Sequence, residues 1–424
     1  MNFPLLFKKI KIFTKKNGVF FVLKRCFGQI VWMPLSLLLK SKYGKTNISK
    51  NQILFVSKPD YSDNAFYLFD YLRNNRNCGK YSFVWLIASD DKYYVDEKRV
   101  KFYKKNSDWH IGLSREALKA VLTSEYVFFT HTSPFHNLKK RPDQTVVNLW
   151  HGCGYKDIKT TKQWEKENPI DYALVPGKVF INTKSHFWAC SKDKILDIGY
   201  PRYDEFKNIT QETKKMLTDL KGDAAKLLIW MPTYRKTELG QFAVSQIKGF
   251  FEIPILESEE DLIKLDQYCS EISVVICIKR HQYQLRYKSE DLGLKSIKFI
   301  DNNDFDQAGS SLYSLLSCVD GLITDYSSVA IDFLLVDKPI AFALNDFEAY
   351  KNTQGFVFEN PLDYMPGHHL YNFDDLKSFL LDVAEGKDPY AEERKKVMPL
   401  VHNSCDNYCE RIWNKILELS VEKE

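Results

Sequence analysis

Five short segments concentrate the side chains able to move a proton or hold a phosphate. In Asn148-Leu149-Trp150-His151-Gly152-Cys153-Gly154-Tyr155-Lys156 a histidine ends an apolar run and glycines follow it. An imidazole so placed can take a proton from a hydroxyl at neutral pH, and glycines let a substrate approach the backbone; a histidine that merely caps a loop leaves the same signature. Gly199-Tyr200-Pro201-Arg202 and Met231-Pro232-Thr233-Tyr234-Arg235 each set a guanidinium beside a proline-fixed turn. That geometry suits a phosphate clamp, and equally a surface or inter-domain ion pair. Lys279-Arg280-His281-Gln282-Tyr283 puts cations at the end of an apolar strand, which fits a phosphate or leaving-group site better than core packing. The fifth segment, residues 321–333, is G-L-I-T-D-Y-S-S-V-A-I-D-F. Its strand ends at Thr324-Asp325, and Ser327 and Ser328 open a helix whose N–H groups and dipole can hold a pyrophosphate. Asp332, four residues after Ser328, shares its face and is placed to accept hydrogen bonds from a polyhydroxylated ligand. An ordinary Asp/Ser cap is the plainer reading of the same letters.

These segments need a scaffold, and the apolar runs supply one. Runs at residues 52–57, 81–88, 126–130, 146–149, 171–175 and 194–198 have strand length and polar or helical borders, including a helix-like stretch at 64–74. That is the rhythm of parallel strands buried on both faces. A charged helix is expected over 206–225, and a second strand series follows at 227–230, 272–278, 298–300, 321–323 and 339–343. The fold expected is α/β, with two doubly wound parallel-sheet domains facing a cleft and ligands at the carboxyl ends of strands. The expected divisions are a basic amphipathic segment at 1–50, domains at 51–205 and 206–400 with their boundary near 204–207, and a C-terminal helix at 401–424. At 424 residues the chain has the length for two such domains.

Charge separates the first 50 residues from the rest. They hold eleven Lys or Arg and no acid, leaving 49 basic against 55 acidic residues elsewhere, a net −6. Large aliphatics and a Trp interleave with those lysines, a pattern suited to a helix lying in an anionic lipid interface; packing of amphipathic helices on the first domain is the alternative. The nearly uncharged stretch 28–39 contains Pro34 and is too short to span a bilayer, which takes about 20 residues. No cleavable signal follows it. Basic residues confined to an aliphatic-rich segment argue against nucleic-acid binding. The nine cysteines form no C-x-x-C pair, so reduced thiols are expected rather than zinc. No D-x-D metal site is expected, and Asn302-Asn303-Asp304 reads as a loop.

The succession W-H-G, G-Y-P-R-x-D, P-T-Y-R, R-H and T-D-Y-S-S-V-x-x-D-F, over residues 57–369, resembles the CDP-glycerol glycerophosphotransferase family of teichoic acid primases and polymerases. Ser62-Asp63-Asn64 and Tyr350-Lys351-Asn352 before Gly355-Phe356 belong to the resemblance. It implies a GT-B enzyme that takes glycerol phosphate or ribitol phosphate from CDP-glycerol or CDP-ribitol. The acceptor implied is a hydroxyl of a lipid-linked or polymeric chain at the cytoplasmic face of the membrane, with CMP released and no cofactor. By the same resemblance His151 is the base; Gly152, Cys153, Gly154, Tyr155, Arg202, Thr233, Tyr234, Arg280, His281, Ser327, Ser328 and Asp332 match donor-contacting positions, and Arg235, Thr324 and Asp325 beside them are expected to bind the donor too. Arg280 and His281 would also stabilise charge on the phosphoryl oxygens and on CMP. Cys153-Gly154 departs from the Thr-Pro usual after His-Gly, which bears on the alditol or acceptor more than on the chemistry. A nucleotide-sugar GT-B glycosyltransferase and a non-catalytic membrane-bound module are the competing readings.

Overall fold

The computed structural model describes residues 19–88, 95–105, 112–135, 138–157, 169–233, 253–279, 292–403 and 406–422, with side chains from residue 27 onward. The chain divides into two compact units. One comprises Met1–His151, Lys162–Leu174 and Lys415–Glu424, the other Gly152–Thr161 and Val175–Asn414. The boundary expected at 204–207 therefore falls inside the second unit. Two local contacts account for this. Residues 155–157 are zipped to 355–357, through Val357 N–H to Tyr155 O (2.8 Å) and Asp157 N–H to Gly355 O (3.1 Å), so this loop belongs with the second unit. Ser420 meets Thr145 (3.2 Å between hydroxyls), so the last residues belong with the first.

In the first unit, helix α1 (Val19–Lys45) leads into β1 (Ser49–Val56), α2 (Asp63–Asn74), β2 (Ser82–Ile87), β3 (Val100–Lys104), α3 (Arg115–Thr123), β4 (Ser124–Phe129), β5 (Thr145–Asn148) and β6 (Tyr172–Leu174). With β7 (Ile195–Leu196) the sheet runs β3-β2-β1-β4-β5-β6-β7. Residues 53–56 of β1 are all buried, the unbroken apolar run of a strand covered on both faces. The Phe55 ring sits 5.2 Å from Trp85, 5.5 Å from Phe128 and 5.8 Å from Phe69, and α2 closes over it with Ala65, Leu68, Phe69 and Leu72, one helical stripe. Helix α1 packs Trp32, Leu39 and Tyr43 against Leu118 and Leu122 of α3. Its opposite stripe, Phe27, Ile30, Val31, Leu35 and Leu38, is exposed, Ile30 at 70%. No helix among the described residues is long and apolar enough to cross a membrane.

The second unit is built on β8 (Lys226–Trp230), helix α4 (Glu259–Glu271), β9 (Val274–Lys279), β10 (Ile297–Ile300), α5 (Asn302–Ala308), α6 (Leu312–Cys318), β11 (Gly321–Thr324), α7 (Ser328–Phe333), β12 (Ile340–Ala343), β13 (His368–Leu370) and α8 (Phe373–Ala384). Its sheet order is β10-β9-β8-β11-β12-β13, with parallel pairing throughout. Leu262, Leu265 and Cys269 of α4 and Leu376, Phe379 and Leu380 of α8 join the strand side chains in one core. Helix α9 (Tyr408–Val421) then carries the chain back to the first unit.

Several expectations change in detail. The helix expected over 206–225 is a 3-10 segment, Pro201–Lys207, followed by an α-helix, Gln211–Lys221. Residues 302–304 are not a loop: they open α5, where the Asp301 side chain accepts from Asn303 N–H (2.7 Å) and Asp304 accepts from Asp301 N–H (2.6 Å). Asp304 and Asp306 do have D-x-D spacing, but two residues apart on a helix they point to different faces, and Asp304 is spent on the cap. Strands β3 and β13 escaped notice because each is an edge strand carrying lysine or histidine instead of an apolar run. The seven cysteines described are free thiols.

Phe55→Ala empties the centre of the first unit's aromatic layer. A loss of about 3–5 kcal/mol is expected, read as an earlier urea midpoint for the transition of that unit with the second unit's transition unmoved.

Candidate active site

Each sheet reverses its winding once, between β1 and β4 in the first unit and between β8 and β11 in the second, and ligands of open α/β sheets bind beyond the strand ends at that point. Residues 231–233 and 324–328 fall there in the second unit, and in the first His151 follows β5, the strand next to β4. In the first unit, β5 ends at Asn148 and the next residues are Leu149, Trp150 and His151. Trp150 has φ of +54°, a conformation a bulky residue does not adopt without support. Two asparagines provide it. Asn148 Oδ1 accepts from Trp150 N–H (2.9 Å), and Asn64, wholly buried at the start of α2, donates from Nδ2 to Trp150 O (2.8 Å).

That backbone aims the His151 ring at Thr130, at the end of β4. Nδ1 lies 3.1 Å from Thr130 O. A carbonyl only accepts, so in the neutral ring Nδ1 carries the proton and Nε2 keeps its lone pair. The His131 ring stacks on His151 at 3.9 Å and 9°, the Trp150 ring lies 4.0 Å away, and His131 Nδ1 is 3.0 Å from Thr130 Oγ1. The result is a half-buried imidazole whose plane and tautomer are set by the Thr130 carbonyl and the stacked rings.

In the second unit the ends of β8 and β11 are tied together. Asp325, fully buried, accepts from the Thr233 backbone N–H (3.0 Å) and from the Thr233 hydroxyl, and Thr324 Oγ1 donates to Met231 O (2.8 Å). Ser327 caps α7, with Val329 N–H 3.5 Å from its Oγ. The loop after His151 lies on this helix start. A Cβ at Gly154 would stand 2.9 Å from Ser328 N and 3.0 Å from its Cα. At Gly152, whose φ is +130°, it would stand 2.5 Å from Ser328 Oγ and 3.0 Å from Arg202 Nη2. The glycines expected to admit substrate therefore admit the protein's own helix.

The side chains between and after them turn inward. Cys153 is buried, accepts from Tyr200 OH (3.2 Å), and has its thiol pKa pushed up by burial. Lys184 lies near it, its ammonium pKa lowered by burial and raised in part by Cys153. Tyr155 OH donates to Tyr364 O (2.7 Å). Asp332 was expected to face a ligand; instead it is fully buried and accepts from Arg202 Nη2 (2.6 Å), Tyr203 OH (2.5 Å) and Tyr313 OH (2.5 Å). Arg202 also lies over the Tyr313 ring at 4.9 Å. Gly152, Gly154, Arg202 and Ser328 thus come together, while Thr324, Asp325 and Asp332 are the bracing behind them. Thr233, Ser327 and Ser328 remain half-buried. Tyr234, Arg235, Arg280 and His281 lie outside the described residues. Their neighbour Lys279, lowered in pKa by burial, donates to Asn302 Oδ1 (2.9 Å).

Two residues were missed as members of the site. Asn64 stood in the sequence only as part of Ser62-Asp63-Asn64, with no role. His131 follows an apolar strand just as His151 does, and that signal was available.

Two doubly wound parallel sheets, a poised imidazole after one strand and a hydroxyl-bearing helix start after another define a GT-B-like transferase. The chain belongs to the CDP-glycerol:poly(glycerophosphate) glycerophosphotransferase family, which it matches over residues 38–418. A teichoic acid poly(glycerol phosphate) polymerase of Staphylococcus epidermidis is 26% identical over 346 residues, 76% of this chain and 44% of that protein. A teichoic acid glycerol-phosphate transferase of Staphylococcus aureus is 26% identical over 372 residues, 82% of this chain and 87% of that protein. Among solved structures, the wall teichoic acid polymerase TagF shares the fold with a TM-score of 0.71 at 23% identity, covering 91% of this chain and 94% of the other. The chain spans less than half the length of the first of these relatives and most of the second.

Asn64→Ala withdraws one of the two supports of the Trp150 conformation. A stability loss of about 1–3 kcal/mol in chemical denaturation is expected, together with a fall in kcat at unchanged KM for the nucleotide donor. An unchanged kcat would separate the Trp150 conformation from the chemistry.

Proposed function

We propose that this protein transfers an alditol phosphate from a CDP-alditol, CDP-glycerol or CDP-ribitol, to a hydroxyl of a lipid-linked or polymeric acceptor, releasing CMP. The observation that carries the reading is His151, held by Thr130 O in the tautomer that leaves Nε2 basic, one residue before the glycine loop that lies on Ser328. Nε2 takes the acceptor's hydroxyl proton, the acceptor oxygen bonds to the β-phosphorus, and the bond from that phosphorus to the bridging oxygen breaks, leaving on CMP. The second unit holds the donor: Ser327, Ser328 and Arg202 meet the phosphates, and Asp332 with Tyr203 and Tyr313 fixes the guanidinium. Arg280 and His281 add cations beyond β9 by family resemblance. Family membership and relatives that make glycerol-phosphate and ribitol-phosphate polymers support the donor class. One of the similar structures is a histidine variant of the TagF polymerase soaked with CDPG. No cofactor or metal is required for this scheme.

The enzyme works at the cytoplasmic face of the membrane as a peripheral protein. Support comes from the exposed apolar stripe of α1 and the eleven basic residues of the first 50, each worth about 1 kcal/mol near an anionic surface.

Two experiments test these statements. Mass spectrometry of products from CDP-glycerol, CDP-ribitol and a nucleotide sugar, each with a lipid-linked acceptor, is expected to show alditol-phosphate addition. His151→Ala is expected to cut transfer by about 10²–10⁴-fold with donor affinity within a few-fold; sugar transfer, or a variant keeping a tenth of the rate, would overturn the scheme. For the membrane statement, the paired substitution Ile30→Glu and Leu38→Glu leaves the face packed on α3 untouched. Co-sedimentation with anionic vesicles should fall by about an order of magnitude or more from lost apolar burial and added charge repulsion; undiminished pelleting would place the contact elsewhere.

A further inference from the structure

Helix α1 has a third face. Between the stripe packed on α3 and the stripe exposed outward, it walls a cavity of about 580 Å³ in the first unit, a size that suits a small ligand or one end of a larger one. The opposite wall is made by the carboxyl ends of the strands, Val56 of β1, Leu86 of β2 and Lys105 just after β3, and by residues 132–134 after β4. Three features define what fits. Met33 and Leu37 line the cavity and are themselves exposed, 58% and 66%, so its apolar wall runs continuously onto the outward face of α1. Two cations, Lys40 and Lys105, lie in a wall otherwise of apolar residues with a few neutral polar ones, Gln29, Ser36, Thr132 and Ser133. Lys105 is partly matched by Asp60 at 3.6 Å, its pKa lowered first by burial, whereas Lys40 has no hydrogen-bond or ion-pair partner among the described residues. Thr132, Ser133 and Pro134 also line the cavity, immediately after His131, whose ring lies on His151.

An apolar wall continuous with the outward face of α1, ammonium groups in the lining and a border on the segment that follows His131 describe a receptor for a chain that is greasy at one end and phosphorylated at the other. We propose that this cavity seats the lipid phosphate of the acceptor, with Lys40 on the phosphate, the hydrocarbon leaving past Met33 and Leu37, and the remainder of the acceptor directed toward His151. A bilayer phospholipid has the same elements. The acceptor is favoured because one border of the cavity, residues 132–134, is joined directly to the stacked histidines, where a phospholipid headgroup has no role. The inference rests on the transfer reaction proposed above and adds the place where its acceptor binds.

Binding is measured with farnesyl phosphate, below its micellar concentration, by calorimetry on the full-length protein. Saturable binding is expected, weakened about tenfold in Lys40→Ala by loss of one charge-assisted contact, with farnesol binding no better than that variant. In transfer assays, Lys40→Ala is expected to raise KM for a lipid-linked acceptor about tenfold while KM for the CDP-alditol and the rate with a lipid-free acceptor stay unchanged. Leu37→Trp, at the cavity mouth, should act in the same direction without removing charge. No farnesyl phosphate binding, equal binding of a short-chain phosphatidylglycerol, or a parallel loss with both acceptors would overturn the assignment. Turnover of CDP-alditol is the control on the transfer reaction: its absence from wild type with both acceptors would sink the proposed function, and Lys40-dependent farnesyl phosphate binding would then decide the cavity's ligand by itself.

Discussion

The approach of residues 152–154 to the amino end of α7 is the constraint on which the site depends. Backbone lies on backbone there, and at 2.9 Å from Ser328 N there is no room for even a methyl group on residue 154. Alternate residues of the loop face opposite ways, and what one face forbids the other uses. Gly152 and Gly154 face the helix; Cys153 and Tyr155 face the interior, where Tyr200 and Tyr364 receive them. The pairing of residues 155–157 with 355–357 then fixes the register of the whole strip. A departure from the family's usual Thr-Pro thus bears on packing: the thiol at 153 is an interior group, and the missing side chain at 154 is what lets the loop lie so close.

Behind that contact stands a buried ion pair. Arg202 and Asp332 are nearly or wholly inaccessible, and burying two charges costs several kcal/mol per ion before their attraction is counted. Such a pair is a weak source of stability and a strong source of geometry. The hydroxyls of Tyr203 and Tyr313 complete the acceptor valences of the carboxylate, and burial with the Asp332 charge holds the Tyr203 phenol well above its ordinary pKa, so it remains a donor. The same Nη2 that meets Asp332 lies beside Gly152.

The strands were legible because a strand covered on both faces must be an apolar run, and the runs at 52–57 and 81–88 became β1 and β2 within a few residues. Edges were not legible, as the Lys-rich β3 shows. The candidate site was legible as a set of positions but not as a set of roles. Asp332 sits between Ile331 and Phe333, both fully buried, and those neighbours pointed to an interior carboxylate more strongly than its spacing from Ser328 pointed to a ligand. Thr324 and Asp325 were read as ligand groups, though a polar pair at the end of a buried strand is as well suited to tying that strand to its neighbour. Asn64 carries no local signal at all, since its partners, the carbonyls of Leu149 and Trp150, are some 85 residues away in the chain.

The return of Lys415–Glu424 to the first unit has a consequence for biosynthesis. Roughly 240 residues separate Leu174 from Lys415, so at about 5–20 residues per second on the ribosome the earlier part of that unit waits about 10–50 s for its last piece. Throughout that interval Thr145 lacks its contact with Ser420, while the outward stripe of α1 is already formed of large aliphatics. A nascent chain in that condition has a greasy handle at its front and an unfinished sheet behind it. Early capture of the handle, by a membrane or by a chaperone, would keep such chains from finding one another.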